Sequence, residues 1–378
     1  MRFALYTHSL VSDWNHGNAH FLRGLMRELI ARGIEAVAFE PAKGWSRENL
    51  LNEQGPSALA RFEHDFPELK TTLYGPGFDH EAALAQMQPD VVIVHEWTDP
   101  ELVARLGRMR RDGHGFTLLF HDTHHRAASA HDQIANLMLQ DYDAVLAFGE
   151  TLRERYVKAG WGRQVFTWHE AADDRLFRPM PEVKRTRDLI WIGNWGDGER
   201  TAELSRFLVE PARQLEVSGT IHGVRYPQDA VSMLSTTGLR YQGWIANADV
   251  PRAFAAHKVT LHIPRRPYVE ALPGIPTIRV FEALACGIPL ISAPWNDCEG
   301  LFRPGEDFLY ARDGEEMTRL LAELLADPER TAELAASGLA TIQARHTCRH
   351  RVDELFAILE SCGSDRLVRQ LPTPKAAQ

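Results

Sequence analysis

Glu282 and the residues just before it have the types and spacing for binding a phosphorylated ligand. Pro276 lacks an N–H and suits a helix start, Gly287 suits a left-handed helix end, and apolar residues recur between them at helical spacing. Such a helix start presents free N–H groups and a positive dipole that favour phosphate. Its residues are Thr277, Ile278 and Arg279. An ordinary helix–strand unit, with Glu282 solvated or paired to Arg279, explains the same pattern.

Two polar loops that contain glycine follow predicted strands and could also approach a ligand. Gly17 would allow close approach of the backbone, and Asn18 would cap the helix that follows. The second loop precedes a helix and could cradle phosphate. The residues concerned are His16, Gly17 and Asn18 in the first loop, Gly193, Asn194 and Arg200 in the second, and the later pair Arg265 and Arg266. A plain solvated surface pair is the alternative for the two adjacent arginines.

Histidines and acids follow several predicted strands. In an open α/β sheet, residues just past the strand carboxyl ends point into the binding crevice. They suit recognition of hydroxyl groups, and they could also bind a metal, although no H-E-x-x-H pair fixes two ligands on one element. The residues are His95, Glu96, His121, Asp122, His124, His125, His169 and Glu170.

The composition is that of an ordinary globular protein with room for two domains of about 150–200 residues. The net charge of −9 argues against a general nucleic-acid or acidic-membrane binder. The four cysteines show no metal-finger spacing and indicate reduced thiols. No apolar run approaches the ~18 residues of a spanning helix, and the start is too quickly polar for a signal peptide. We expect a cytoplasmic location, with peripheral attachment at the inner membrane face left open.

Short apolar runs alternate with amphipathic stretches, which is typical of a parallel sheet wrapped by helices. The predicted strands are 3–6, 36–39, 91–94, 117–120, 144–148 and 164–167 in the first half, and 189–192, 219–222, 259–263, 289–292 and 308–310 in the second. Two successive doubly wound units fit this series better than one large sheet. The polar, proline-containing stretch 178–188 separates them.

Two segments carry a resemblance to a known family. The run F-E-A-L-A-C-G-I-P-L-I at 281–291 resembles the nucleotide-sugar signature of retaining GT-B glycosyltransferases, the glycogen- and sucrose-synthase-like clan. The segment 170–179, with Asp173, Phe177 and Pro179, resembles the interdomain signature of that clan. Eight residues before Glu282 the clan often has another glutamate, where this chain has Gly274; the CgeB-like branch, to which the chain is most similar, shares that departure.

The resemblance implies an α/β fold of the GT-B type, with two Rossmann-like doubly wound domains facing an interdomain cleft. The expected parts are an N-terminal acceptor-side domain at 1–179 and a nucleotide-sugar domain at 180–345. A C-terminal helix at 346–362 can cross back to the first domain, and a disordered tail follows at 363–378. The implied reaction moves a sugar from a nucleotide-diphosphate donor, with retained configuration and without a metal or other cofactor.

Within this resemblance Glu282 would hold the ribose hydroxyls and His121 would contact the donor sugar, so these two are the predicted catalytic residues. The donor would bind at the helix start, the two polar loops and the arginine pair described above. The acceptor side would be lined by His16, His95, Glu96, Asp122, His124, Glu170 and Asp173. The acceptor itself could be a saccharide, a lipid-linked group or another small molecule.

Three other functions stay open at this point. An epimerase on the same scaffold would turn over a nucleotide-sugar without an acceptor. A metal-dependent hydrolase would use the histidine clusters. A non-catalytic sugar-binding protein is the third alternative, because of the glycine at 274.

Overall fold

The computed structural model describes residues 1–196 and 198–363. These residues form two compact units. The first comprises Met1–Glu170 with the described residues from Cys348 onward, and the second comprises Ala171–Thr347. The tail predicted at 363–378 lies outside the described residues, apart from Gly363.

The first unit is built on a sheet of seven parallel strands in the order β3-β2-β1-β4-β5-β6-β7. The strands are β1 (Arg2–Tyr6), β2 (Glu35–Pro41), β3 (Lys70–Tyr74), β4 (Val91–His95), β5 (Thr117–Asp122), β6 (Ala144–Ala147) and β7 (Val165–Thr167). The helices are α1 (Ala19–Ala31), α2 (Trp45–Gln54), α3 (Ser57–Asp65), α4 (His80–Met87), α5 (Pro100–Arg111), α6 (Arg126–Ser129), α7 (His131–Ala135) and α8 (Glu150–Ala159). The last helix of the unit, α17, is Cys348–Ser361.

The central strands of this sheet are buried along their full length. β4 and β5 have no exposed residue, because helices cover both faces of a parallel sheet. α1 turns the apolar stripe of Phe21, Leu25 and Leu29 inward, and it also packs against α17. Arg32 at the end of α1 donates to Asp353 of α17 at 2.6 Å.

The second unit has a sheet of six parallel strands in the order β10-β9-β8-β11-β12-β13. The strands are β8 (Arg187–Ile192), β9 (Gly219–His222), β10 (Leu239–Tyr241), β11 (His257–His262), β12 (Leu290–Ser292) and β13 (Leu309–Tyr310). The helices are α9 (Thr201–Leu204), α10 (Glu210–Gln214), α11 (Gln228–Leu234), α12 (Val250–Ala255), α13 (Arg266–Glu270), α14 (Ile278–Ala285), α15 (Gly314–Ala326) and α16 (Pro328–Arg345).

Both sheets reverse their strand order at the same place. The first strand of each unit, β1 or β8, lies between the second strand and the fourth. In open α/β sheets the crevice at this switch point is where ligands bind, outside the strand carboxyl ends. The loops after β1 and β4, and those after β8 and β11, are therefore the places to look for a site in each unit.

Candidate functional site

The switch point of the second unit concentrates positive charge. Burial, followed by the charges of Arg265 and Arg279, lowers the pKa of Arg200 to about 9. A side chain added at Gly196 would lie 3.1 Å from Arg200 Nε and 3.6 Å from Arg265 Nε. Since Arg265 and Arg279 both lower the pKa of Arg200, an anion bound among the three would relieve their repulsion, and the cluster suits a diphosphate.

Arg200 itself ties the two loops of this switch point together. It donates from Nη1 to the Ile263 carbonyl at 2.9 Å and from Nη2 to the Asn194 carbonyl, and its guanidinium lies 5.1 Å from the ring centre of Trp191. The Nη atoms of Arg200 already donate to backbone carbonyls. A phosphate would therefore have to compete with those carbonyls for Arg200. The side chain of Asn194 is also engaged, accepting from Val224 N at 2.9 Å.

The adjacent arginines are paired with acids. Arg265 lies 3.1 Å from Glu199 and Arg266 lies 3.6 Å from Glu203. Arg265 is the more buried of the two, with 23% of its side chain exposed against 43% for Arg266. A plain solvated pair is therefore the wrong description of Arg265. Gly193, in the same region, has no room for a side chain, since an added Cβ would lie 2.6 Å from Trp191.

The predicted helix is present, but it starts later than the sequence suggested. α14 begins at Ile278 with Thr277 as N-cap, so Pro276 lies outside it and the prediction of a proline start is wrong. The left-handed end at Gly287 is confirmed, with φ of 63°. Glu282 is fully buried and forms an ion pair with Arg279, one turn nearer the helix start. The alternative of a solvated Glu282 is therefore wrong.

The backbone conformation at position 274 favours glycine. Gly274 has φ of 90° and donates its N–H to the Asn296 carbonyl at 2.7 Å. An added Cβ would lie 2.7 Å from Cys298 Sγ and 3.1 Å from Glu299 Oε1. The glycine in place of the clan's glutamate thus has a local steric reason.

The switch point of the first unit gathers a row of four histidines. Neighbouring ring centres lie 5.0 Å apart for His8 and His16, 6.0 Å for His16 and His95, and 5.8 Å for His95 and His121. Burial lowers the pKa of His8 to about 4 and that of His121 to about 3. Burial also holds the pKa of His16 and His95 well below 6.5. The row is therefore neutral at pH 7.

Two buried carboxyl groups lie beside this row. Burial raises the pKa of both Glu96 and Asp122 above the ordinary carboxyl range. Glu96 accepts from Arg126 at 2.6 Å, and Asp122 accepts from the Tyr156 hydroxyl at 2.7 Å. Thr123 Oγ1 lies 3.2 Å from His95 Nε2 and donates to Glu96 at 3.3 Å, which links the acids to the histidines.

Several predicted residues have different surroundings from those expected. His121 is fully buried against Phe21 and Trp168, rather than facing solvent. Within the described residues, neither of its ring nitrogens has a hydrogen-bond partner. The sequence predicted that residues at this strand end point into a binding crevice, whereas aromatic neighbours enclose the ring of His121.

The loop after β1 also differs from its prediction. Asn18 is the N-cap residue of α1, but its side chain makes no capping bond and donates to Glu170 at 2.8 Å instead. Asn15, with φ of 49°, is the residue of this loop in the left-handed region. Asp173 is buried in the second unit, where its carbonyl accepts from Phe177 N at 2.8 Å. His124 donates its backbone N–H to Asp122 at 3.0 Å.

Sequence reasoning missed three residues of the first switch point. Trp97 lies directly after Glu96, Arg126 stacks on Trp97, and His8 lies beside both Trp97 and His16. Each of these residues follows a predicted strand within a few residues. Their position after a strand end is therefore the sequence signal that could have identified them.

No group of three histidine, cysteine or acid side chains in the described part of the chain could hold a metal ion. This arrangement gives no support to the metal-dependent alternative. None of the described helices is long and apolar enough to cross a membrane. None of the four cysteines forms a disulfide in this structure.

Comparisons with known proteins agree with this geometry. Residues 200–357 match the sequence model of a family described as glycosyl transferase-like. No curated protein sequence matches the chain.

Solved structures share the fold across nearly the whole chain. Sucrose-phosphate synthase from Thermosynechococcus elongatus has a TM-score of 0.67 at 16% identity, covering 97% of this chain and 100% of that one. Anabaena HepE, solved with UDP and glucose, has a TM-score of 0.66 at 16% identity, covering 96% and 100%. T4 phage β-glucosyltransferase has a TM-score of 0.61 at 14% identity, covering 96% and 99%. The chain therefore has the GT-B fold, and its residues 200–357 resemble a glycosyl transferase-like family.

Proposed function

We propose that this protein transfers a sugar from a UDP-sugar to an acceptor and binds the donor at the switch point of its second unit. The observation that carries the proposal is the cluster of Arg200, Arg265 and Arg279 beside the start of α14. HepE and the T4 phage enzyme were solved with UDP or UDP-glucose, which supports uridine as the base.

The chemistry follows from charge. Breaking the glycosidic bond leaves negative charge on the diphosphate, and fixed cations with helix N–H groups stabilise that charge without reorganising. Arg265, Arg279 and the first turn of α14 would hold the phosphates, with Gly193 allowing close approach. Glu282 would bind the ribose hydroxyls, with Arg279 as its ion-pair partner. The proposal includes no metal or cofactor, so activity should survive EDTA.

The other predicted features belong to the same proposal. Transfer would retain the anomeric configuration, with the leaving phosphate accepting the proton of the acceptor. His121 stays a proposed catalytic residue, although aromatic side chains enclose its ring in this structure; within the described residues its two ring nitrogens have no hydrogen-bond partner. Membership of the CgeB-like branch stays a prediction.

Calorimetry with UDP, GDP, ADP and their glucose conjugates tests the proposal. UDP and UDP-glucose should bind best, and Glu282→Gln should weaken binding by about 1–3 kcal/mol, the scale of a hydrogen bond to a charged group. Glu316→Gln is the matched control, because Glu316 also pairs with an arginine three residues away on its own helix, Arg319 of α15. If no nucleoside diphosphate binds the wild-type protein, the proposed function is wrong. Turnover of UDP-glucose to another UDP-sugar without an acceptor would favour the epimerase.

A further inference from the structure

Trp97 presents an exposed aromatic ring at the switch point of the first unit. It follows β4 by two residues and is 43% exposed, although most large apolar side chains of the described chain are buried. The guanidinium carbon of Arg126 lies 3.8 Å from its ring centre. One face of the indole is therefore covered by a cation, and the exposed surface lies on the rest of the ring.

The ring is held in place by its neighbours. Arg126 is fixed by the buried carboxylate of Glu96 at 2.6 Å and by the backbone carbonyl of the same residue. The ring of His124 meets the indole edge-on at 5.1 Å between centres. These contacts restrain the indole, so stacking on Trp97 would cost little further ordering of the protein.

The polar groups near Trp97 suit hydroxyl groups better than phosphates. His8 lies 6.2 Å from Trp97 between ring centres, and its lowered pKa of about 4 leaves it neutral, able to donate and to accept. His16, which touches His8, is buried, and within the described residues its Nε2 has no hydrogen-bond partner. The cation of Arg126 is already held by Glu96, so it offers little to a phosphate.

A ligand for this surface needs an apolar face for the indole and hydroxyl groups for the imidazoles. A pyranose ring has both, since its C–H groups cluster on one face and its hydroxyls project from the rim. A nucleic acid fits poorly, because the protein carries a net charge of −9.

We propose that Trp97 is the stacking platform for a saccharide acceptor, with His8 and His16 as hydrogen-bonding partners of its hydroxyls. This inference rests on the proposed transferase function, and it assigns the acceptor class that the function leaves open.

Saturation-transfer NMR on the full chain with UDP present tests this assignment. The probes are methyl β-glucopyranoside, methyl β-galactopyranoside and methyl α-mannopyranoside, with adenosine and cyclohexanol as comparison ligands. At least one glycoside should receive saturation, mainly at the C–H protons of one ring face. Trp97→Ala should weaken this binding about tenfold, as for other aromatic anchors, and Trp97→Phe should weaken it less.

Trp45→Ala is the matched control. Trp45 follows β2 and is also exposed, at 45%, but its ring packs on Trp14. It should leave the glycoside signal unchanged. Three results would overturn the assignment. The first is an equal signal in wild type and both Trp97 variants, and the second is no glycoside signal at all. The third is a Trp97-dependent signal only from adenosine or cyclohexanol. UDP calorimetry on the same samples separates the two proposals, since intact UDP binding without glycoside binding refutes this inference alone.

Discussion

The two units of this protein place different chemistry at the same position of the same topology. In both sheets the first strand lies beside the fourth, and polar loops follow those two strands. The first unit fills this position with neutral histidines and buried acids, whereas the second fills it with arginines and glycines. The sheet therefore fixes where a ligand can bind, and the loop residues fix its charge.

The two clusters are also stabilised in different ways. The arginines of the second unit are balanced by Glu199, Glu203 and Glu282. The histidines of the first unit are neutral because they are buried. Their charge therefore depends on pH rather than on ion-pair partners. Three changes test this contrast, in decreasing order of expected effect.

The largest effect should come from Arg279→Ala in the second unit. Removing the cation leaves the fully buried carboxylate of Glu282 without its ion-pair partner, and breaking such a pair costs about 3 kcal/mol. Denaturant unfolding should show this loss, and calorimetry should show weaker UDP binding. Arg319→Ala, which removes an exposed arginine from α15, is the control and should change neither. Unchanged stability of Arg279→Ala would mean that Glu282 is not held by this pair.

The next largest effect should come from His121 in the first unit. His121→Ala leaves a cavity between Phe21 and Trp168, which should cost about 2 kcal/mol. His121→Phe fills the space but removes both ring nitrogens. If those nitrogens act in the reaction, the phenylalanine variant should keep its melting temperature and lose turnover much more than donor affinity. Normal turnover by a stable His121→Phe protein would leave the histidine with a packing role only.

A smaller effect should appear in the acid dependence of stability. The folded pKa of His121, about 3, and that of His8, about 4, both lie below the unfolded value of 6.5. Between these values the unfolded chain binds more protons, so stability is complete above pH 6.5 and is lost as the pH falls toward 4.

Calorimetric melting at pH 7.0, 5.5 and 4.5 should show this loss. His121→Phe should lose less than wild type, by about 1–2 kcal/mol at the lowest pH, because one histidine no longer titrates. An identical pH profile in both proteins would show that His121 is protonated as readily when folded as when unfolded.

The sequence predicted most of both sheets but missed one strand in each. β3 and β10 are the two missed strands, and each lies at the edge of its sheet. Their residues are mostly half-buried or exposed, so neither has the continuous apolar run that identifies a central strand. The interior strands β4 and β9 are buried on both faces. The predicted β4 ends one residue early, and the predicted bounds of β9 match the structure.

The sequence by itself determined the alternation of strands and helices, the bounds of β9 and the left-handed turn at Gly287, and it offered the pairing of Arg279 with Glu282 as one alternative. These features depend on residues a few positions apart. Only the tertiary structure decided that Asn18 holds Glu170, 152 positions away, and that Arg200 donates to the Ile263 carbonyl. It also decided that His121 is buried. A pattern of apolar residues reports which face of an element is covered, whereas the partner of a polar side chain depends on elements that are distant in the chain and meet only on folding.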